Sequence, residues 1–305
     1  MEKDSWYTLY IDSTDLELHD FSQDVSRWQE IVVTLLKMLF EKAYRRSKSK
    51  WCSQHLETAY LTADDANFFD HYTVEVSPEK TEWIELLKEL SKQITSGSMP
   101  AEFLIYSDFI KALRTDQHLY YPLMCLREKD ANHKEVLRDD DAGEPLIKIS
   151  PVALNEGESN FVKSMMQYCD AHKEDTLKDK EVYMLRNESR KGIGFFEANK
   201  FYPDFILWVN DGEQQHVSFI DPKGIRNLSG INDAKIQLFK LLRNDIQPLV
   251  NKDHIIVDSF IISNTPYLKV SEWMGTESKL TFIENHVLFD EDNDYIDTLF
   301  KLMFE

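Results

Sequence analysis

Two apolar runs, each with an acid at one end, restrict the fold of this chain more than any other feature in it. The first is Phe201-Tyr202-Pro203-Asp204-Phe205-Ile206-Leu207-Trp208-Val209, and the second is Val217-Ser218-Phe219-Ile220-Asp221-Pro222-Lys223-Gly224. Short apolar runs bounded by turn residues read as strands. Around them the hydrophobic period keeps switching. Glu156 to Cys169 predicts a helix, and Ile193 to Glu197, Phe201 to Val209 and His216 to Ile220 predict strands. Asp233 to Val250 predicts a helix, Ile255 to Ile262 and Phe282 to Leu288 further strands, and Tyr295 to Phe304 a closing helix. Strands interleaved with helices imply an α/β domain with a mixed central sheet flanked by helices.

The N-terminal part reads differently. Phe21 to Tyr44 places apolar residues at steps of three and four, the mark of an amphipathic helix, with Ser22 and Asp24 as early caps. It runs into Arg45-Arg46-Ser47-Lys48-Ser49-Lys50, the only dense basic run in the chain, which suits either a solvated helix end or a phosphate contact. Lys80 to Ile94 repeats the helical pattern. Residues 1–117 are therefore expected to be mainly helical. His118 to Leu126 reads as a strand, and the charged loop Arg127 to Glu144 marks a boundary. The expected division is 1–117, 118–146 and 147–305.

The bulk properties limit the function classes. The 305 residues are 42% hydrophobic, enough for a sizeable core, and no apolar stretch is long enough to span a bilayer. The opening residues lack a signal-peptide pattern, and Cys52, Cys125 and Cys169 show neither paired disulfide nor zinc-knuckle spacing, so a cytoplasmic location is expected. The net charge of −19 argues against a free-standing nucleic-acid binder. Between Glu181 and Asp245, however, nine basic residues balance nine acidic ones, and the whole negative charge lies elsewhere. That distribution fits a module whose grip on DNA is partly supplied by another subunit. Solubility accounts for it equally well.

Strand geometry turns the two acidic runs into candidate chemistry. Pro203 cannot donate to a ladder, so it belongs at a strand's beginning and leaves Asp204 at the sheet's rim. Asp221 and Lys223 are two apart and share a face, and Pro222 between them offers a carbonyl without needing an N–H. Two carboxylates and a carbonyl suit a hard cation such as Mg²⁺, with Mn²⁺ as a substitute. Such a metal activates water, and Lys223 could orient or deprotonate that water or neutralise charge on a phosphate. A rim ion pair with no chemistry is the plainer alternative.

These residues carry a resemblance. The segments Ile149-Ser150-Pro151-Val152-Ala153-Leu154-Asn155-Glu156-Gly157-Glu158-Ser159-Asn160-Phe161-Val162, Tyr202-Pro203-Asp204-Phe205 and Ile220-Asp221-Pro222-Lys223-Gly224 resemble the PD-(D/E)xK nuclease superfamily. They look most like the C-terminal endonuclease region of type III restriction enzyme-like DEAD/DEAH helicase proteins. The resemblance implies a restriction-endonuclease-like core and a Mg²⁺-dependent DNA endonuclease of restriction or phage defence. It also implies Glu158 as a further metal-binding acid, with Glu197 as the competitor. None of the nine glycines is followed by Lys, so there is no Walker A loop and the ATPase motor would be a separate partner or a missing segment. Gln237 is followed four residues later by Leu241 rather than Tyr, which argues against the exonuclease subgroup that carries Gln-x-x-x-Tyr. The rival expectations are a catalytically inactive module that holds DNA or docks a protein, and an RNA-directed nuclease. Lys235, Lys240 and Arg243 could reach phosphates near a cut, but their spacing favours a solvated helix face; Cys52-x-x-His55 reads as structural, and His216 and His254 as packing or surface residues.

Overall fold

The computed structural model describes residues 12–17, 20–55, 62, 71–96, 104–105, 110–113, 123–126, 143–187, 192–194, 201–225, 228, 230–250, 254–274 and 277–305. The chain divides into two compact units, Met1–Glu57 and Thr58–Glu305.

The first unit holds a 3₁₀ turn, Ser13–Leu16, capped by the Asp12 carboxylate, which accepts from the Thr14 N–H at 3.0 Å. A single long helix follows, α1 (Phe21–Gln54). The basic run continues this helix instead of ending it, as expected for residues with good helix propensity and no Gly or Pro among them.

The second unit begins with β1 (Thr73–Val76), α2 (Thr81–Thr95), β2 (Leu104–Ile105), β3 (Ile110–Leu113), β4 (Leu123–Leu126) and β5 (Ile147–Ser150). β2, β3 and β4 form an antiparallel sheet, and β1 pairs antiparallel with β5, Thr73 opposite Ser150. Among the described residues up to 117, α1 and α2 predominate; the short strands β1, β2 and β3 are additions that the sequence pattern does not announce. Thr73-Val-Glu-Val is too short to announce itself, and its partner lies some seventy residues away.

Next come α3 (Glu156–His172), β6 (Glu181–Arg186), β7 (Phe205–Asn210) and β8 (Gln215–Lys223). After these are α4 (Leu238–Leu241), a π-helical turn (Leu242–Ile246), α5 (Gln247–Val250) and β9 (Ile255–Ser263). The chain closes with α6 (Tyr267–Met274), α7 (Lys279–Glu284), β10 (Val287–Phe289) and α8 (Tyr295–Phe304). Five strands form one mixed sheet in the order β10-β9-β8-β7-β6. β6, β7 and β8 are antiparallel neighbours, while β9 and β10 run parallel to β8.

Both faces of this sheet are covered. Phe205, Leu207, Val209, Ile220, Phe260 and Ile262 pack against Phe161, Val162 and Met165 of α3 and Leu299, Phe300 and Met303 of α8. The alternate residues Ile206, Phe219 and Val257 meet Leu238, Leu242 and Val250. The period-2 alternation of each strand thus feeds two helical layers. Each fully buried Phe or Leu contributes about 2 kcal/mol. Among the described residues, no helix is long and apolar enough to cross a membrane.

Four local expectations change. β6 is an unexpected strand, because Glu181-Val-Tyr-Met-Leu-Arg lacks a clean alternation. Ile193 and Gly194 are not in a strand, and Glu197 lies outside the described residues. Phe282 to Leu288 is not one strand. α7 ends at Glu284, His286 turns the chain with φ 58°, and only Val287–Phe289 is extended. The helix expected from Asp233 starts at Leu238 and carries a π turn directly before α5, where Pro248 lacks the N–H that an α register would direct at the Asn244 carbonyl.

Candidate active site

The register of the central sheet brings the two sequence-predicted acids together. Arg186, Phe205 and Ile220 form one row across β6, β7 and β8. One step further lie Asn187, Asp204 and Asp221, and the Asn187 N–H donates to the Asp204 carbonyl at 2.8 Å. Asp204 therefore stands opposite Asp221 where the β7–β8 ladder ends. Asn187 locks that end. Its buried amide donates to the Pro203 and Ile193 carbonyls, both at 2.8 Å, and its oxygen accepts from the Ile193 N–H at 2.9 Å.

β8 continues past this point along β9 alone. The Lys223 carbonyl accepts from the Asn264 N–H at 3.1 Å and so faces β9. Alternation then turns the backbone of Pro222 to the other side, where β7 has already ended. A proline is tolerated there because no ladder needs its N–H, and its carbonyl lies on the side of Asp204. Asp221 and Lys223 share a face, as the spacing predicts, and their side chains form an ion pair through Asp221 Oδ2. Asp221 is buried, and that oxygen accepts no hydrogen bond of ordinary geometry among the described residues.

The same face carries Phe201, which the sequence did not single out for this role, and Lys235. The Lys223 ammonium lies 4.4 Å from the centre of the Phe201 ring, and the Lys235 ammonium lies 5.1 Å from the same ring. Lys235 arrives there because the chain leaves β8 in a turn instead of a helix, with its N–H donating to Asp233 Oδ1 at 2.9 Å. Its expected place on a solvated helix face is therefore corrected.

Glu158 lies at the first turn of α3, in a complete capping box with Asn155. Its Oε1 accepts from the Asn155 side-chain amide at 2.8 Å, and its Oε2 accepts from the Asn155 N–H at 3.1 Å and from Arg186 Nη2 at 3.3 Å. Arg186 also donates to the Val152 and Ala153 carbonyls, tying β6 to the loop before α3. Glu158 thus neighbours Asp204 while its oxygens already serve the helix end and the guanidinium.

Burial dominates the electrostatics. Desolvation pushes Asp204 up to about 6 against the pull of Lys223, Arg186 and Lys235. It pushes Glu158 up to about 6, with Arg186 opposing and Asp204 reinforcing the rise. Desolvation and the neighbouring Lys235 ammonium bring Lys223 down to about 7, with Asp204 and Asp233 pulling the other way. Anionic groups held where their charged forms are disfavoured gain most from a cation.

Asp204, Asp221 and the Pro222 carbonyl fit a hard divalent cation that keeps several waters. Asp221 Oδ2 is the oxygen that Lys223 engages, so a cation bound there would share it with the ammonium or displace it. Among the described residues, no three His, Cys, Asp or Glu side chains converge to hold a metal, so the third protein oxygen of such a site would be the carbonyl.

The glycines of the two motifs have steric reasons. A Cβ on Gly157 would meet Asn264 Nδ2 at 2.9 Å, and one on Gly224 would meet Asn264 Oδ1 at 3.1 Å. Asn264 thus wedges between the start of α3 and the end of β8. His216, at the far end of β8, is buried edge-on to Phe304 at 5.1 Å, and His254 is exposed in the turn before β9. Arg186 and Asn187 had no sequence signal, because their roles depend on tertiary partners, Val152, Ala153 and Glu158 for the first and Ile193 and Pro203 for the second. Comparisons with protein-family models, with curated proteins and with solved structures find no match to this chain.

Proposed function

We propose that this chain is a Mg²⁺-dependent DNA endonuclease module with a PD-(D/E)xK-type site on a restriction-endonuclease-like core. The observation that carries the reading is the register that sets Asp204 opposite Asp221, with Lys223 on the face of Asp221. Asp204, Asp221 and the Pro222 carbonyl would hold the metal, and Glu158, the further acid that the resemblance implies, would have to leave Asn155 and Arg186 to join them. The bound ion supplies a water of lowered pKa and charge stabilisation at the phosphate.

The chain's own residues do the rest. Lys223, held against Asp221 and over Phe201, directs an ammonium at an anionic phosphate oxygen or takes a proton from the attacking water near neutral pH. Lys235 adds a second cation beside it. Arg186 orients Glu158 and binds α3 to the sheet. The acidic remainder of the chain fits a DNA grip shared with a helicase-like motor in a restriction or defence system.

The test is divalent-metal-dependent nicking of plasmid DNA, with labelled RNA in parallel. Asp221→Ala should abolish it and remain folded; undiminished nicking by that variant would sink the assignment. One observation favours a second reading: Asp221 is engaged by Lys223, and the Glu158 oxygens are engaged by Asn155 and Arg186. An inactive module for holding DNA or docking a protein would keep those pairs permanently. Calorimetric titration with Mg²⁺ or Mn²⁺ separates the two, because only the enzyme must bind metal.

A further inference from the structure

Two ammonium groups share one aromatic ring. Lys223 lies 4.4 Å and Lys235 5.1 Å from the centre of Phe201, which is itself buried against Ile206 and Phe219. A cation gains from the face of a ring, yet two cations at one ring repel each other. Lys223 has Asp221 as its counter-charge, whereas no ion pair among the described residues engages Lys235.

Lys235 is also held in place. Its N–H is fixed by Asp233, and Gln237 closes the turn by donating to the Ile231 carbonyl at 2.7 Å. The neighbours Ala234 and Ile236 are packed into two different cores. All of these residues belong to the second compact unit. A positioned ammonium without its own counter-ion, set beside a second ammonium, is an arrangement that an anion completes.

The surrounding charges say which anion, and when. Arg186, Lys223 and Lys235 face four carboxylates, those of Glu158, Asp204, Asp221 and Asp233. One negative charge is in excess, and it repels anions. A divalent cation on Asp204 and Asp221 leaves one positive charge in excess instead, whether Glu158 stays with Arg186 or joins the ion. One negative charge is what each phosphodiester of a DNA backbone carries.

We propose that Lys235, with Lys223 over Phe201, seats a backbone phosphate of bound DNA, and that the seat fills once the acids are neutralised. The inference rests on the metal site of the proposed function. It adds a substrate-binding residue and a linkage, the cation and the phosphate each strengthening the binding of the other.

Asp204→Asn with Asp221→Asn tests this without metal, because it removes the two charges that the ion would neutralise. The measurement is anisotropy of a short labelled DNA duplex in EDTA at about 50 mM salt. The neutralised chain should bind at least about tenfold more tightly than wild type. Lys235→Met in that background should weaken binding at least about fivefold and lower the slope of log affinity against log salt by about 0.9. Lys235→Arg should restore both. Met keeps an apolar stem on Phe201, so a merely structural Lys235 would leave affinity and slope where they are. Where the double substitution prevents folding, the same Lys235→Met comparison is made in the otherwise wild-type chain with Ca²⁺. The seat is overturned by a neutralised chain that binds DNA no better than wild type, or by a slope that Lys235→Met leaves unchanged. None of this requires turnover. A chain that never nicks DNA but shows the Lys235 effect keeps the seat and loses the nuclease reading; one that nicks without that effect does the reverse.

Discussion

Asp204 precedes Phe205 and Asp221 follows Ile220, so the two acids fall one step beyond the last pair of the β7–β8 ladder. Desolvation raises Asp204 to about 6 from an ordinary 3.8, so the folded state holds its proton more tightly than the unfolded chain does. Without metal, the contribution of Asp204 to stability is fully present below about pH 4 and is lost as pH rises through about 6. Asp204→Asn should remove that contribution, leaving the similar one of Glu158, and make the variant about 2 kcal/mol more stable than wild type at about pH 8 in EDTA. Thermal melts across pH check this, and Mg²⁺ should raise the melting point of wild type more than that of the variant.

Arg186 bridges β6 to the start of α3 through Glu158 and the Val152 and Ala153 carbonyls. Both partners of the ion pair are largely buried, so Arg186→Met leaves a carboxylate without its counter-charge and should cost about 3 kcal/mol. Arg186→Lys should not rescue it, because one ammonium cannot span three acceptors held in a planar fork. Urea denaturation of the three proteins measures both statements.

His286 and Asp258 form a second buried pair, Nδ1 to Oδ1 at 2.9 Å, with the imidazole stacked on Phe239 at 4.1 Å and on Phe260 at 4.7 Å. Arg243 completes it by donating to Asp258 Oδ2 at 2.7 Å. This cluster joins β9 to the turn before β10 and takes no part in the proposed chemistry. Asp258→Ala should destabilise by about 3–5 kcal/mol. Metal affinity, measured by calorimetry below the melting point, should not change.

Cys169, on the last turn of α3, is packed into the main core, and burial pushes its thiol up to about 12. The reactive thiolate is then almost absent at about pH 8. Iodoacetamide should leave Cys169 unmodified in the native protein and label it fully in urea, as read by peptide mass spectrometry. Rapid native labelling would show that this part of the core opens far more often than its packing implies.

Much of the candidate site is legible without the fold, because its logic is local. Pro203 has no N–H, so Asp204 has to open a strand; Asp221 and Lys223 are two apart, so they have to share a face. Glu158 is different. The resemblance directs it toward metal binding, whereas its oxygens are engaged by Asn155 and Arg186, one a neighbour in sequence and the other on a remote strand. Lys235 departs from expectation because its neighbours read as helix, and only the turn after β8 carries it to Phe201.

Local sequence is enough for the α/β alternation, the acids at the strand ends, and the amphipathic helix that runs into the basic Arg45 to Lys50 segment. Each of these follows from side-chain periodicity or from the covalent limits of a single residue. Packing alone makes β7 and β8 neighbours in the register that sets Asp204 opposite Asp221, joins β1 to β5, and brings Arg186 and Asn187 to hold the rim. Those relations depend on which distant strands pair and at what offset. That choice is made by burying Phe205, Leu207 and Ile220 together between two helical layers, a property of the packed whole that no local stretch encodes.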